Sequence, residues 1–167
     1  MNTIHRLRSF LFLLVLAGAA LATPAFAQTA STTFDVTITI TSTCSIDAPT
    51  ATDVAFGTHP STETDVDADG LLNVNCTLGT PYDIALNEGL NGADVATRAM
   101  SDGANEVPYQ LFQDAGRTTV WGETAGIDTL AGTGSGAVQE IPVYGRVPST
   151  NFPASSYTDT VTATITY

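Results

Sequence analysis

The sequence contains one motif that could hold a metal ion. Asp65-Val-Asp-Ala-Asp-Gly70 carries carboxylates at positions 1, 3 and 5 and glycine at position 6, the pattern that opens a calcium-binding loop. Position 12 of such a loop requires a bidentate glutamate, and here it is Cys76. The residues after the glycine also look like a strand. We therefore interpret the three aspartates (Asp65, Asp67 and Asp69) as an acidic, solvated turn before that strand, and we expect no metal site.

No combination of residues predicts a catalytic site. A single loop histidine, His59, could serve a Ser–His–Asp triad, but the chain has no nucleophile motif. Gly132-Thr-Gly-Ser-Gly136 is too short for a phosphate-binding loop, and no lysine follows it. With 17 acidic residues in the chain, the proximity of two carboxylates carries no information about hydrolysis. We expect no enzymatic activity and no cofactor, and a calcium-dependent hydrolase is the weakest alternative.

The first 27 residues predict a secretory signal peptide. Arg6 and Arg8 precede an apolar run from Phe10 to Ala22, and the segment ends in Ala25-Phe-Ala27. The apolar run has 13 residues, whereas a helix that spans a bilayer needs about 20. We expect a mature chain that begins at Gln28, is not inserted in a membrane and leaves the cell through the periplasm.

The two cysteines, Cys44 and Cys76, are predicted to form one disulfide. Disulfides persist in the oxidising compartments that a secreted protein reaches. A zinc site is the alternative, but two thiols and one mature histidine do not complete a ligand shell with any recognised spacing.

The charge of the mature chain excludes two classes of partner. Without the leader, Arg98, Arg117 and Arg146 stand against 17 acidic residues, and there is no lysine, so the net charge is −14. Nucleic-acid binding needs a basic surface, as does attraction to anionic membranes, and we expect neither. Strong like charge opposes random association, so any self-assembly must use specific apolar and main-chain contacts.

The pattern of the mature chain predicts an all-β sandwich. Threonine and valine are abundant, glycine, proline and asparagine recur as punctuation, and no stretch keeps a helical period. The stretch from Gly122 to Gly136 is predicted to be a long loop. The predicted core strands are Val54–Gly57, Leu71–Cys76, Tyr82–Asn87, Tyr109–Asp114, Thr118–Trp121 and Val138–Val147.

The two ends of the mature chain show the strongest strand alternation. Near the start, Phe34, Val36, Ile38 and Ile40 alternate with threonines and one aspartate, so one face of an extended segment would be apolar. At the far end, apolar residues again alternate with threonine in the segment 157–167. Both segments could be ordinary strands of a complete sandwich. A flat, threonine-rich apolar strand at a free edge is normally suppressed, so the first segment could instead be offered to another molecule.

Several motifs, in order along the chain, resemble those of the spore coat protein U domain family, which includes pilins of the archaic chaperone–usher pathway. They are LNVNCTLGTPYDIALNEG, RAM at Arg98–Met100, VPYQLFQDAGRTTVWG, VYGRVP at Val143–Pro148 and YTDTVTATITY. The resemblance covers essentially the whole mature chain. No single motif would carry it, and the order of the motifs makes it specific.

The resemblance implies a single immunoglobulin-like β-sandwich that lacks its final strand and therefore has an apolar groove. A periplasmic chaperone would fill the groove first, and at an outer-membrane usher the N-terminal segment of the next subunit would replace it. On this basis the donor side chains are Phe34, Val36, Ile38 and Ile40. The residues expected to border the groove are Val161, Ala163, Ile165 and Tyr167.

The sequence therefore predicts a non-enzymatic structural subunit of a secreted surface fibre or coat. The expected boundaries are a signal peptide at 1–27, a donor segment at 28–43 and a pilin-like domain at 44–167. A secreted carbohydrate- or surface-binding module is the alternative, with Trp121 and the nearby loops as its contact patch. The sequence does not separate a pilus from a spore coat or a major subunit from a minor one.

Overall fold

The computed structural model describes residues 26–47 and 53–167. Contacts within the chain divide it into residues 1–38 and residues 39–167. The predicted signal peptide falls almost wholly on residues 1–25, outside the described part. Residues 26–38 form neither a strand nor a helix. The described residues include no helix long and apolar enough to cross a membrane.

The regular structure of the described residues 39–167 consists of nine strands without a helix, so the all-β prediction is confirmed. Seven are three to six residues long and two are much longer. The strands are β1 (Cys44–Asp47), β2 (Thr64–Cys76), β3 (Pro81–Leu86), β4 (Ala99–Ser101), β5 (Glu106–Pro108), β6 (Gln110–Phe112), β7 (Leu130–Thr133), β8 (Val138–Ser149) and β9 (Ala163–Thr166).

These strands form two sheets in a sandwich-like arrangement, together with a hairpin. One sheet has the order β1-β2-β8-β6, the other has the order β7-β3-β9, and β4 pairs with β5. The antiparallel pairing of β2 with β8 is the longest, running from Thr64 opposite Ser149 to Asn75 opposite Val138. Pro142 lies in β8 beyond the residues that pair with β6, so its missing N–H interrupts no ladder on that side.

The core lies between the sheets because alternate side chains of each strand point inward. In β3 the alternation is complete, with every second residue from Tyr82 buried. Trp121, the proposed contact residue of a surface-binding module, is fully buried, and its Nε1 donates to the carbonyl of Ile84 at 2.8 Å. That contact patch was therefore wrong. The main buried cluster comprises Val66, Leu72, Val74, Cys76, Tyr82, Ile84, Leu86, Val107, Tyr109, Leu111, Trp121, Val143 and Val147.

The acidic segment at 65–70 is a strand rather than a turn, so that prediction was wrong. It forms the first half of β2 and pairs with β8. On its exposed face, Arg146 donates to both carboxylate oxygens of Asp67, at 2.7 and 2.9 Å, and Arg117 donates to Asp69 at 2.6 Å. The hydrogen bond from Arg146 is the main reason that the pKa of Asp67 is lowered. The described residues contain no group of three or more His, Cys, Asp or Glu that could hold a metal ion.

Other predicted boundaries also change. The stretch 122–136 contains β7, which pairs with β3, so it is not a continuous loop. Val54–Gly57 is not in a strand, and the stretch 118–121 contributes only an isolated bridge between Val120 and Phe112. The hairpin of β4 and β5 was not predicted. Short strands of two or three paired residues have no periodicity long enough to detect.

Cys44 and Cys76 form the expected disulfide. Cys44 begins β1, Cys76 ends β2, and the two residues are direct cross-strand partners with Cα atoms 4.1 Å apart. The bond therefore links the short edge strand β1 to the longest strand of its sheet. It closes a loop across a sequence separation of 32 residues.

Replacing both cysteines by serine should lower the free energy of unfolding by about 2–4 kcal/mol, because the unfolded chain regains the freedom of the closed loop. Urea denaturation followed by circular dichroism measures the difference. Ser45→Ala, a change in the same strand that keeps the disulfide, is the control. An unchanged midpoint in the double variant would contradict this account.

Candidate functional site: an open groove beside the edge strand β9

The sandwich is open along one side, where a groove of about 1210 Å³ reaches its core. The edge strands β1 and β9 approach each other there, and β9 has only β3 as a strand partner among the described residues. The first wall of the groove is Ile46 and residues 53–61, and the second wall is residues 152–161 with Ala163. The floor is formed by core side chains, namely Leu72, Leu86, Val107, Tyr109, Leu111, Val143 and Val147.

The first wall packs on the sheet without joining it as a strand. The Phe56 ring meets the Tyr109 ring edge-on, with centroids 6.5 Å apart. A Cβ atom at Gly145 of β8 would lie 2.5 Å from Val54 and 3.0 Å from Phe56, so only glycine lets this wall approach so closely. The wall is therefore held by side-chain packing rather than by a β-ladder.

His59 makes two hydrogen bonds at the end of the first wall, and we call this arrangement the His59 clasp. His59 contacts the carboxylate of Glu63 through Nδ1 and the carbonyl of Phe56 through Nε2, each at 2.5 Å. Because both partners are acceptors, the imidazole makes both bonds only when both of its nitrogens carry a proton. The hydrogen bond to Glu63, followed by that to Phe56, raises the pKa of His59 above 6.5.

The second wall is held by hydrogen bonds to the groove floor, to β4 and to the loop that follows β3. Thr158 and Ser101 exchange two main-chain hydrogen bonds, at 2.9 and 3.1 Å. The carboxylate of Asp159 accepts from the hydroxyl of Tyr109 at 2.6 Å, the amide of Leu90 at 2.8 Å and the side chain of Asn91 at 3.0 Å. Burial of Tyr109 and its hydrogen bond to Asp159 raise the pKa of the Tyr109 hydroxyl. The wall is thus positioned before anything enters the groove.

A buried arginine supports the same region. Arg98 has no solvent exposure, and it donates to the carbonyls of Leu86 and Asn87 at 2.7 and 2.8 Å. Burial lowers its pKa. Asn87 in turn exchanges main-chain and side-chain hydrogen bonds with Thr162 of the last stretch before β9, at 3.1 and 2.8 Å. No local sequence pattern indicates that Arg98 is buried at this position.

The residues predicted to border the groove divide into two groups. Val161 and Ala163 line it. Ile165 is partly buried against the core from β9, and Tyr167 is 57% exposed. Residues 53–61, which sequence reasoning did not associate with a groove, form most of the first wall.

The N-terminal segment has the exposure of an unpartnered strand. Phe34, Val36 and Ile38 are 83–85% exposed, and Ile40 is 77% exposed. None of them is in an assigned strand, although alternation predicts an extended conformation. Large apolar side chains exposed at every second position have no hydrophobic stabilisation in the isolated chain.

The groove can accept one extended segment with alternating apolar side chains. It presents half-buried hydrophobic residues, among them Val54, Phe56 and Val161, beside the free edge of a sheet. Pairing with a sheet edge supplies main-chain hydrogen bonds, and pockets at alternate positions supply selectivity. The described residues of the groove thus combine an apolar lining with a free sheet edge.

These features define a class of protein: an all-β sandwich with an open apolar groove beside an edge strand. The chain belongs to the Spore Coat Protein U domain family, whose model matches residues 30–164. It is 35% identical over 159 residues to Protein U of Myxococcus xanthus, and the match covers 86% of this chain and 88% of that protein.

The fold is also similar to that of a solved pilus complex. That structure is the CsuC–CsuE chaperone–tip adhesion subunit pre-assembly complex from archaic chaperone–usher Csu pili of Acinetobacter baumannii. The TM-score is 0.57 with 24% identity, and the match covers 77% of this chain and 40% of that chain. At this identity the likeness concerns the fold alone.

The two hydrogen bonds of His59 should make the stability of the protein depend on pH. A histidine whose pKa is raised by folding contributes stability that is complete below 6.5 and is lost as the pH rises through the raised value. His5 and His59 are the two histidines of the sequence. A protein prepared from Gln28 onward therefore gives one NMR titration curve, from the Cε1 proton of His59. We expect a pKa above 6.5 in the wild type and a return toward 6.5 in Glu63→Gln. Identical curves for both proteins would contradict the clasp.

Proposed function

We propose that this protein is a structural subunit of a secreted bacterial surface fibre or coat, and that it polymerises by strand exchange. One observation carries the proposal: a single chain combines an open apolar groove with an exposed segment of matching alternation. In this proposal the segment 28–43 of one subunit occupies the groove of the next. The domain at 44–167 supplies the groove, and residues 1–27 direct secretion.

Such a contact joins unlike surfaces, because the donor segment and the groove lie on different parts of the subunit. A heterologous contact of this kind does not close on itself and produces a filament. The four donor side chains, Phe34, Val36, Ile38 and Ile40, would each contribute roughly 1.5–3 kcal/mol on burial, or about 6–12 kcal/mol together before entropic costs. That magnitude is sufficient for slowly dissociating joints.

The partners of assembly follow from the same groove. A half-buried apolar groove beside a sheet edge promotes aggregation of a free subunit. A periplasmic chaperone would therefore cover the groove until an outer-membrane usher exchanges the chaperone for the next subunit. The similarity to a fold found in a chaperone–subunit complex supports this part of the proposal. The protein would pass through the periplasm and be displayed at the cell surface.

Replacing Ile38 by aspartate should prevent polymerisation. The substitution places an unpaired charge on the face of the segment that enters the groove, at a cost of several kcal/mol for each joint. The core strands are unaffected, so the folded, chaperone-bound subunit should still accumulate. Electron microscopy counts the surface fibres, and gel electrophoresis of unheated samples detects the polymers. Both measure the loss of polymerisation.

Thr39→Asp is the matched control, because it adds the same charge to the opposite face of the same segment. It should polymerise much better than Ile38→Asp. Equal assembly of the two variants would remove the strand-exchange proposal.

A further inference from the structure

One pole of the sandwich is formed by the chain around the disulfide. Here β1 and β8 begin, β2 and β7 end, and β3 begins. Three main-chain hydrogen bonds close it: Thr77 to Thr43 at 2.9 Å, Gly79 to Gly134 at 2.8 Å and Gly136 to Cys76 at 3.1 Å. We call this surface, residues 43–45, 76–80 and 134–138, the disulfide pole.

The disulfide pole exposes apolar side chains. Leu78 is 76% exposed and Val138 is 59% exposed. The loops that carry them touch, because a Cβ atom at Gly136 would lie 3.4 Å from that of Leu78. Leu78 and Val138 are therefore carried by adjoining segments of the disulfide pole.

The disulfide pole is also free of charge, although the mature chain carries −14. No acidic or basic residue occurs in 36–46, 71–82 or 129–139, the three stretches that build and flank it. Copies of a strongly acidic protein repel each other wherever their charged surfaces meet. An uncharged apolar pole is a surface on which two copies can touch without that repulsion.

The covalent chain limits how far a neighbour can lie from this pole. Only Thr41, Ser42 and Thr43 separate the last donor residue, Ile40, from Cys44, which the disulfide holds in place. An extended chain spans at most about 3.3–3.6 Å for each residue, so Ile40 lies within about 14 Å of Cys44. If Ile40 is docked in the groove of the next subunit, the rim of that groove must be beside the disulfide pole.

We infer that the disulfide pole is a second subunit–subunit contact, on which a second copy of this chain seats the rim of its groove. The inference rests on the proposed function. Strand exchange joins the subunits, and the contact made by Leu78 and Val138 sets the angle between them. Without such a contact, domains connected by a three-residue linker would reorient freely, which is the ordinary behaviour of linked domains with small interfaces.

The test compares fibres of three proteins. Leu78→Ser/Val138→Ser removes the apolar contact, and both sites are exposed enough that the fold is retained. Ile127→Ser is the matched control, because Ile127 is 81% exposed and lies before the start of β7, at the opposite end of that strand from the disulfide pole. The readout is the distribution of angles between consecutive subunits in electron micrographs of the fibres.

We expect the double variant to polymerise but to bend more, with the fibre's persistence length falling by about twofold or more as linked domains reorient. Ile127→Ser should match the wild type. The inference is wrong if the double variant keeps the wild-type angles, and also if it fails to polymerise, because the contact orients subunits rather than joining them. Failure of the proposed function is distinct, since the wild type would then form no fibres.

Discussion

The groove exists because no strand covers one edge of the core of the β-sandwich. The core of this protein is closed by paired strands on most sides, yet Val54, Phe56 and Val161 remain only partly buried. Apolar area that is half covered retains part of its unfavourable hydration, so an extended apolar segment placed there gains free energy. The outer edge of β9, which has no strand partner among the described residues, adds main-chain groups to the same opening.

The walls of that opening are rigid because polar side chains replace the missing ladder. Asp159 accepts hydrogen bonds from Tyr109 of the groove floor and from Leu90 and Asn91, and buried Arg98 donates to the carbonyls at the end of β3. His59 does the same for the other wall through Glu63 and Phe56. A groove positioned in advance lowers the ordering cost of binding. Polar side chains thereby hold both walls of the groove in place.

The charge of the protein also restricts the surfaces through which copies can associate. All three arginines of residues 28–167 are engaged within the chain: Arg98 with the carbonyls of Leu86 and Asn87, and Arg117 and Arg146 with Asp67 and Asp69. The remaining acidic residues leave the surface strongly anionic, so contacts between copies are favourable only where charge is absent and apolar or main-chain groups are offered. This selectivity suits a protein of the Spore Coat Protein U domain family whose proposed role is ordered self-assembly.

The sequence by itself determined the all-β class, the disulfide and the acidic character, because these follow from alternation, cysteine count and composition. The resemblance to the family, rather than the alternation itself, placed Val161 and Ala163 at the groove that they line. The sequence did not reveal that residues 53–61 form a wall without being a strand, that 65–70 is a strand, or that Trp121 is buried. Those outcomes depend on partners far along the chain: Val54 and Phe56 fit over Gly145, Asp67 pairs with Arg146, and Trp121 binds Ile84. Only the tertiary structure brings such partners together, since no local period encodes contacts between residues tens of positions apart.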